Sequence, residues 1–78
     1  MTNKQKYEKV FMEVLNIDKE QIKGLEYQAI PDWDSVGHMA LITSLEDEFD
    51  IMMDTEDIID FNSFEKGIDI LGKYDVEF

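Results

Sequence analysis

The chain has no cysteine and no arginine, and only one proline, one tryptophan and one histidine in 78 residues. Without cysteine, disulfides and thiolate–metal sites are excluded, which fits a reducing compartment. Nowhere do about 18 apolar residues run together, so no membrane span is expected. No apolar stretch follows the first lysines, so no signal peptide is expected either. Positive charge is scarce: seven lysines stand against nineteen acids, for a net charge of −12. A surface of that sign repels nucleic acid and anionic membranes, and attracts basic protein surfaces over a Debye length of ~8 Å at physiological salt. The same charge also serves as a solvated surface that keeps a protein soluble.

What is present suffices for one small domain, residues 1–78, with no room for a second core. A chain this short buries only about 60% of its unfolded surface, so modest stability is expected. Hydrophobic residues make up 44% of it, enough for a core without metal or disulfide. Strand-like alternation is absent, and the periodicity predicts an all-α, small four-helix bundle of three longer helices and one short. Thr2 and Gln5 have capping-box spacing, and Tyr7, Val10, Phe11, Val14 and Leu15 share one face of a first helix ending near Asn16–Asp18. Residues 19–34, with Gly24 and Pro31, read as a long loop whose Ile22, Leu25, Tyr27 and Ile30 tuck under the helices.

A second helix is predicted from Ser35 to Phe49, with His38, Leu41, Ile42, Leu45 and Phe49 in one buried stripe. Val36, Ala40, Thr43 and Asp47 fall on the opposite side, with Met39 and Glu46 along one flank. A short helix over 55–60 is predicted with Asp54 as its cap, and a last one with Ser63 as cap and Phe64, Ile68 and Leu71 inward. Gly67 weakens that last helix by roughly 1 kcal/mol relative to alanine. The expected shared core is Phe11, Leu15, Leu45, Phe49, Met53, Ile59, Phe61, Ile68 and Leu71.

The stretch that carries chemistry is Asp32-Trp33-Asp34-Ser35-Val36-Gly37-His38-Met39. It places an exposed serine where a loop becomes an amphipathic helix. First-turn N–H groups lack intrahelical partners and the helix dipole puts partial positive charge there, which suits a phosphate ester on Ser35. Asp34 or Ser35 acting as an N-cap explains the same residues and is compatible with that site.

Asp34-Ser35-Val36, followed by Leu41-Ile42-x-x-Leu45-Glu46-Asp47-Glu48-Phe49, resembles the Asp-Ser-Leu motif and second helix of acyl carrier proteins. The resemblance extends over the first amphipathic helix, the loop with Pro31 and Asp32, the acidic segment at 54–60 and the closing segment from Asn62-Ser63-Phe64 to Ile70-Leu71. It implies that Ser35 receives 4′-phosphopantetheine from coenzyme A by the action of a separate magnesium-dependent phosphopantetheinyl transferase. Asp34 is then part of what the transferase recognises, and Val36, Met39, Glu46 and Asp47 form the face that docks on basic partner enzymes. Those partners are a loading ligase and a downstream synthase or transferase, in fatty acid or polyketide biosynthesis. The cargo, acyl or aminoacyl, rides as a thioester, and the chain catalyses nothing itself. A cytoplasmic monomer is expected.

The sequence also departs from that family's fatty-acid-type members. Gly37 stands where many have an acid, and Ala40 where many have glutamate. Asp-Ser-apolar-Gly is similar to carriers of D-alanine and other amino acids, and Trp33 suggests a specialised stand-alone carrier. Three other readings account for part of the pattern. For a serine hydrolase the chain lacks the first elbow glycine, replaced by Trp33, and His38, the only histidine, reads as a partly buried structural residue at the edge of the core stripe. A calcium loop starting at Asp32 fails at Val36 and Thr43, while Asp54, Glu56, Asp57 and Asp60 read as helix-start charge. An acidic helical interaction module without a prosthetic group remains the alternative.

Overall fold

Five helices and no strands form the chain, described over residues 1–78 in a computed structural model. They are α1 (Asn3–Leu15), α2 (Lys19–Ile22), α3 (Ser35–Phe49), α4 (Thr55–Asp60) and α5 (Phe64–Gly72). The all-α expectation holds. The element count exceeds the expected four because residues 19–22 form a single helical turn inside the long loop. One turn is too short to display a period, so pattern reading has no access to it. It is stabilised locally, Gln21 Oε1 accepting the Asp18 N–H at 2.9 Å, and it delivers Ile22 into the core.

α1 begins with the reciprocal bonds expected of Thr2 and Gln5: the Thr2 hydroxyl accepts the Gln5 N–H at 3.1 Å and Gln5 Oε1 accepts the Thr2 N–H at 2.9 Å. Its apolar face buries Tyr7, Val10, Phe11 and Leu15, while Val14 is half-buried. The helix stops at Asn16, whose left-handed φ of 54° turns the chain while its N–H still bonds the Met12 carbonyl. α1 packs against both α2 and α3. On α3, Leu41, Ile42 and Leu45 are buried, with His38 and Phe49 half-buried at the edges of the stripe.

The centre of the core is aromatic. Phe11 lies 4.9 Å from Tyr7, 5.1 Å from Phe64 and 5.5 Å from Trp33, between ring centroids. Trp33, read from the sequence as a marker beside the motif, is the largest side chain fully buried here. Burying a side chain of this kind contributes roughly 1.5–3 kcal/mol. Tyr7 is also fully buried and donates its hydroxyl to the Phe64 carbonyl at 2.7 Å. That burial, with the Glu65 charge nearby, pushes the phenol well above its usual range. Gly67 gives this arrangement its space: a Cβ there would overlap both the Tyr7 hydroxyl and the Phe61 ring. Its cost in helix propensity is therefore offset by tertiary packing.

Phe61 and Met53 are buried as expected, and Phe49 and Ile68 pack against the core half-exposed. Ile59 is a correction: it is 72% exposed. Asp57 turns inward on α4, and Ile59, two residues on, lies about 200° around the helix from it. α5 buries Ile70 in addition to Phe64 and Leu71, and Val76 beyond it closes the core. An isolated backbone bridge between Glu26 and Ser63 ties the long loop to the start of α5, through Tyr27 N–Asn62 O at 2.8 Å and Phe64 N–Leu25 O at 2.9 Å. No helix is long and apolar enough to cross a membrane.

Candidate functional site

Tight turns fold the loop ahead of α3. Ala29 N bonds Glu26 O at 3.0 Å, Trp33 N bonds Ile30 O at 3.2 Å, and Gln28, at φ 67°, bonds Trp33 O at 3.0 Å. They drive Trp33 into the core and bring Asp34 out in an extended conformation as the N-cap of α3. Asp34 Oδ1 accepts the Gly37 N–H at 2.8 Å, the capping expected of this position. Ser35 is the first helical residue and is exposed.

The His38 N–H is paired with the Asp34 carbonyl at 2.7 Å. With Gly37 taken by Asp34, the Ser35 and Val36 amides are the first-turn donors left to meet an anion esterified to Ser35. That is fewer donors than a bare helix start offers, and the Asp34 carboxylate is the reason. Gly37 is glycine for packing: a Cβ on it would overlap the Asp32 carbonyl oxygen. The loop lies too close against α3 for any side chain, an acidic one included, at that position.

Ser35 also lines a cleft of about 310 Å³ whose apolar walls come from Tyr27, Met39, Ile58, Ile59 and Phe61, with His38 among them. The volume lies at the low end of the roughly 300–1,000 Å³ usual for small-molecule sites. Both ring nitrogens of His38 have a hydrogen-bond partner, and these set the tautomer. The indole N–H of Trp33 can only donate, so His38 Nδ1 accepts it, at 3.0 Å. The proton therefore sits on Nε2, which donates to the Ile58 carbonyl at 2.8 Å. Both ring nitrogens are engaged away from Ser35, the arrangement of the partly buried structural histidine anticipated from its place on the stripe.

The four residues assigned to docking separate in the structure. Val36 (77% exposed) and Met39 (49% exposed) flank Ser35. Asp47 is exposed but lies roughly 16 Å further along the helix axis than Val36. Glu46 is half-buried, its Oε2 accepting the Met53 N–H at 2.9 Å, so it holds the segment after α3 in place. Ile59 joins Val36 and Met39 as a third exposed apolar side chain near Ser35. Assignment to the core hid it from sequence reasoning. Tyr27, Ile58 and Asn62 of the cleft were likewise missed, since only the fold brings the loop and α4 beside α3.

The acidic run on α4 behaves differently from expectation. Glu56 and Asp57 do lie in the first turn, but the Asp54 side chain makes no cap bond; its N–H donates to the Tyr74 hydroxyl at 2.9 Å instead. Asp57 is nearly buried and accepts from the Tyr74 hydroxyl and from Lys73 Nζ, the latter at 2.9 Å. The Tyr74 and then the Lys73 hydrogen bonds hold its carboxyl below the usual range, and Asp57 in turn raises the Lys73 ammonium. No three His, Asp or Glu side chains converge where a metal ion could be held. No family model, curated protein or solved structure matches this chain.

Proposed function

We propose that this chain is an acyl-carrier-type protein, a carrier-like helical bundle of the cytoplasm modified with 4′-phosphopantetheine at Ser35. The observation that carries the reading is the setting of Ser35: an exposed hydroxyl on the first turn of α3, beside two unpaired amides and an apolar cleft. The residues fit the group. The Ser35 and Val36 amides and the α3 dipole favour the phosphodiester, Asp34 holds the turn that presents it, and the cleft walls suit the uncharged part of the arm. When bound, the arm supplies a terminal thiol on which an acyl or aminoacyl group is carried as a thioester. Attachment forms the Ser35 Oγ–P bond, breaks the diphosphate of coenzyme A and releases the adenosine bisphosphate half together with the serine proton.

Val36, Met39 and Ile59 offer an apolar patch to the phosphopantetheinyl transferase, the loading ligase and the downstream synthase, with Asp47 as a more distant acidic contact for a basic surface. Glu46, half-buried with one carboxylate oxygen engaged by the Met53 N–H, is a weaker contact for such a surface.

Intact mass decides the reading. Incubation with coenzyme A, magnesium and a broad-specificity phosphopantetheinyl transferase is expected to add one phosphopantetheine to the wild type and none to Ser35→Ala. Folded, unmodified wild type that gains no mass would leave Ser35 as a helix residue beside a cap. The exposed Val36–Met39–Ile59 patch on a chain of charge −12 would then favour an acidic interaction module without a prosthetic group.

A further inference from the structure

The cleft beside Ser35 ends at α4, and α4 is held from two sides. From α3, the His38 Nε2–H donates to the Ile58 carbonyl at 2.8 Å. From the segment after α5, Tyr74 accepts the Asp54 N–H at 2.9 Å and donates to Asp57, which Lys73 Nζ also reaches at 2.9 Å. Three of the seven residues that make up this short helix and its cap, Asp54, Asp57 and Ile58, are thus tied to other elements.

The His38 ring stands between the cleft and the core. Trp33 stacks on it at 6.2 Å with an interplanar angle of 20°, while Tyr27 and Phe61 meet it edge-on at 5.4 and 6.1 Å. Trp33 and Phe61 behind it are fully buried. Every buried side-chain nitrogen and oxygen has a hydrogen-bond partner. Swinging α4 away, or turning the ring, would cost the Ile58 carbonyl its partner and leave the indole N–H of the fully buried Trp33 without one. The remaining hollows of the molecule are lined mainly by polar and charged residues of the surface, such as Glu26 and Glu65, or Lys4, Lys19 and Lys23.

We infer that α4 is pinned closed against α3, with His38 as the residue that shuts the cleft off from the core. The cargo suited to Ser35 is then a short or polar acyl group kept at the surface, and a long alkyl chain has no route inward. This rests on the carrier reading of Ser35. The cleft of about 310 Å³ is a recess of the surface, and Trp33 and Phe61 fill what lies beyond it.

The test uses the whole chain loaded at Ser35 by a broad-specificity transferase from acetyl- or octanoyl-coenzyme A, with loading verified by mass. The thermal midpoints of the acetyl and octanoyl forms are expected to agree within about 1 °C, with the Trp33 and Phe61 ring resonances at the same positions in both. An octanoyl form that melts roughly 4 °C or more above the acetyl form, as a domain does when it buries a ligand, overturns the inference. In His38→Ala the octanoyl form is expected to gain that shift over its acetyl counterpart. A folded His38→Ala without the gain removes His38 as the closure, and should the variant not fold, the wild-type pair decides alone. Failure to load either group on folded protein is a different result: it rejects the carrier reading itself, and this inference with it.

Discussion

At Gly37 the backbone of the loop and the backbone of α3 come into contact with nothing between them. The Asp32 carbonyl oxygen occupies the space a Cβ would need, and backbone on both sides leaves no flexible side chain to yield. Gly37→Ala should therefore lower stability, although alanine is the better helix former by roughly 1 kcal/mol. Overpacking of this kind costs typically 1–3 kcal/mol, and the urea midpoint is expected to drop accordingly. An unchanged or raised midpoint would show that the loop moves aside freely. From sequence, Gly37 is visible only as a departure from a family pattern and Gly67 only as a weak point in a helix. Both are explained by atoms far from them in the chain or on another element: Tyr7 lies 60 residues before Gly67, and no local rule connects the two.

Among the elements, α4 is the one joined to another part of the chain by an ion pair, Asp57 with Lys73. The Asp57 carboxyl is held below its ordinary range by Tyr74 and Lys73. A folded-state value lowered in this way adds stability above the unfolded value, and that contribution is lost as pH falls through the folded one. For Lys73, raised by Asp57, the contribution is present below the ordinary lysine value and lost as pH rises through the raised one. The difference in urea midpoint between wild type and Asp57→Asn should be constant from about pH 7 to pH 5 and shrink as pH falls below about 4. A variant that loses as much stability at the acid end as at neutrality would mean that the carboxylate charge is not what holds α4. The helix itself was legible at 55–60, and so was its acidic first turn. Which acid faces inward was not, because a six-residue helix has no apolar stripe wide enough to assign a face.

Over the whole molecule the charge is uneven. Five of the seven lysines lie within the first 23 residues, in and around α1 and α2, whereas residues 24–78 hold fifteen acids against two lysines. Ser35 and the exposed Val36, Met39 and Ile59 belong to that acidic part. A partner with a basic surface is therefore steered toward it from a distance that shrinks with salt, the Debye length falling from about 30 Å at 0.01 M to about 8 Å at 0.15 M. If Ser35 is the phosphopantetheine site proposed above, the kcat/KM for transfer onto it should fall by about tenfold over that range, with kcat little changed. A flat salt profile would assign recognition to the apolar patch alone.

Composition and periodicity by themselves determined the helical class, the bounds of α1 and α3, the start of α5, the Thr2 and Ser63 caps, a cap at Asp34 or Ser35, and the exposed position of Ser35. All of these are consequences of residues within about one turn of each other or of a repeat every 3.6 residues, and both are written along the chain. Tertiary structure alone decided that Trp33 is core, that Ile59 is surface, that Asp57 belongs to Tyr74 and Lys73, and that His38 joins α3 to α4. Each of those outcomes depends on a partner brought close by packing from another element, and the identity of that partner is settled by which surfaces exclude water together.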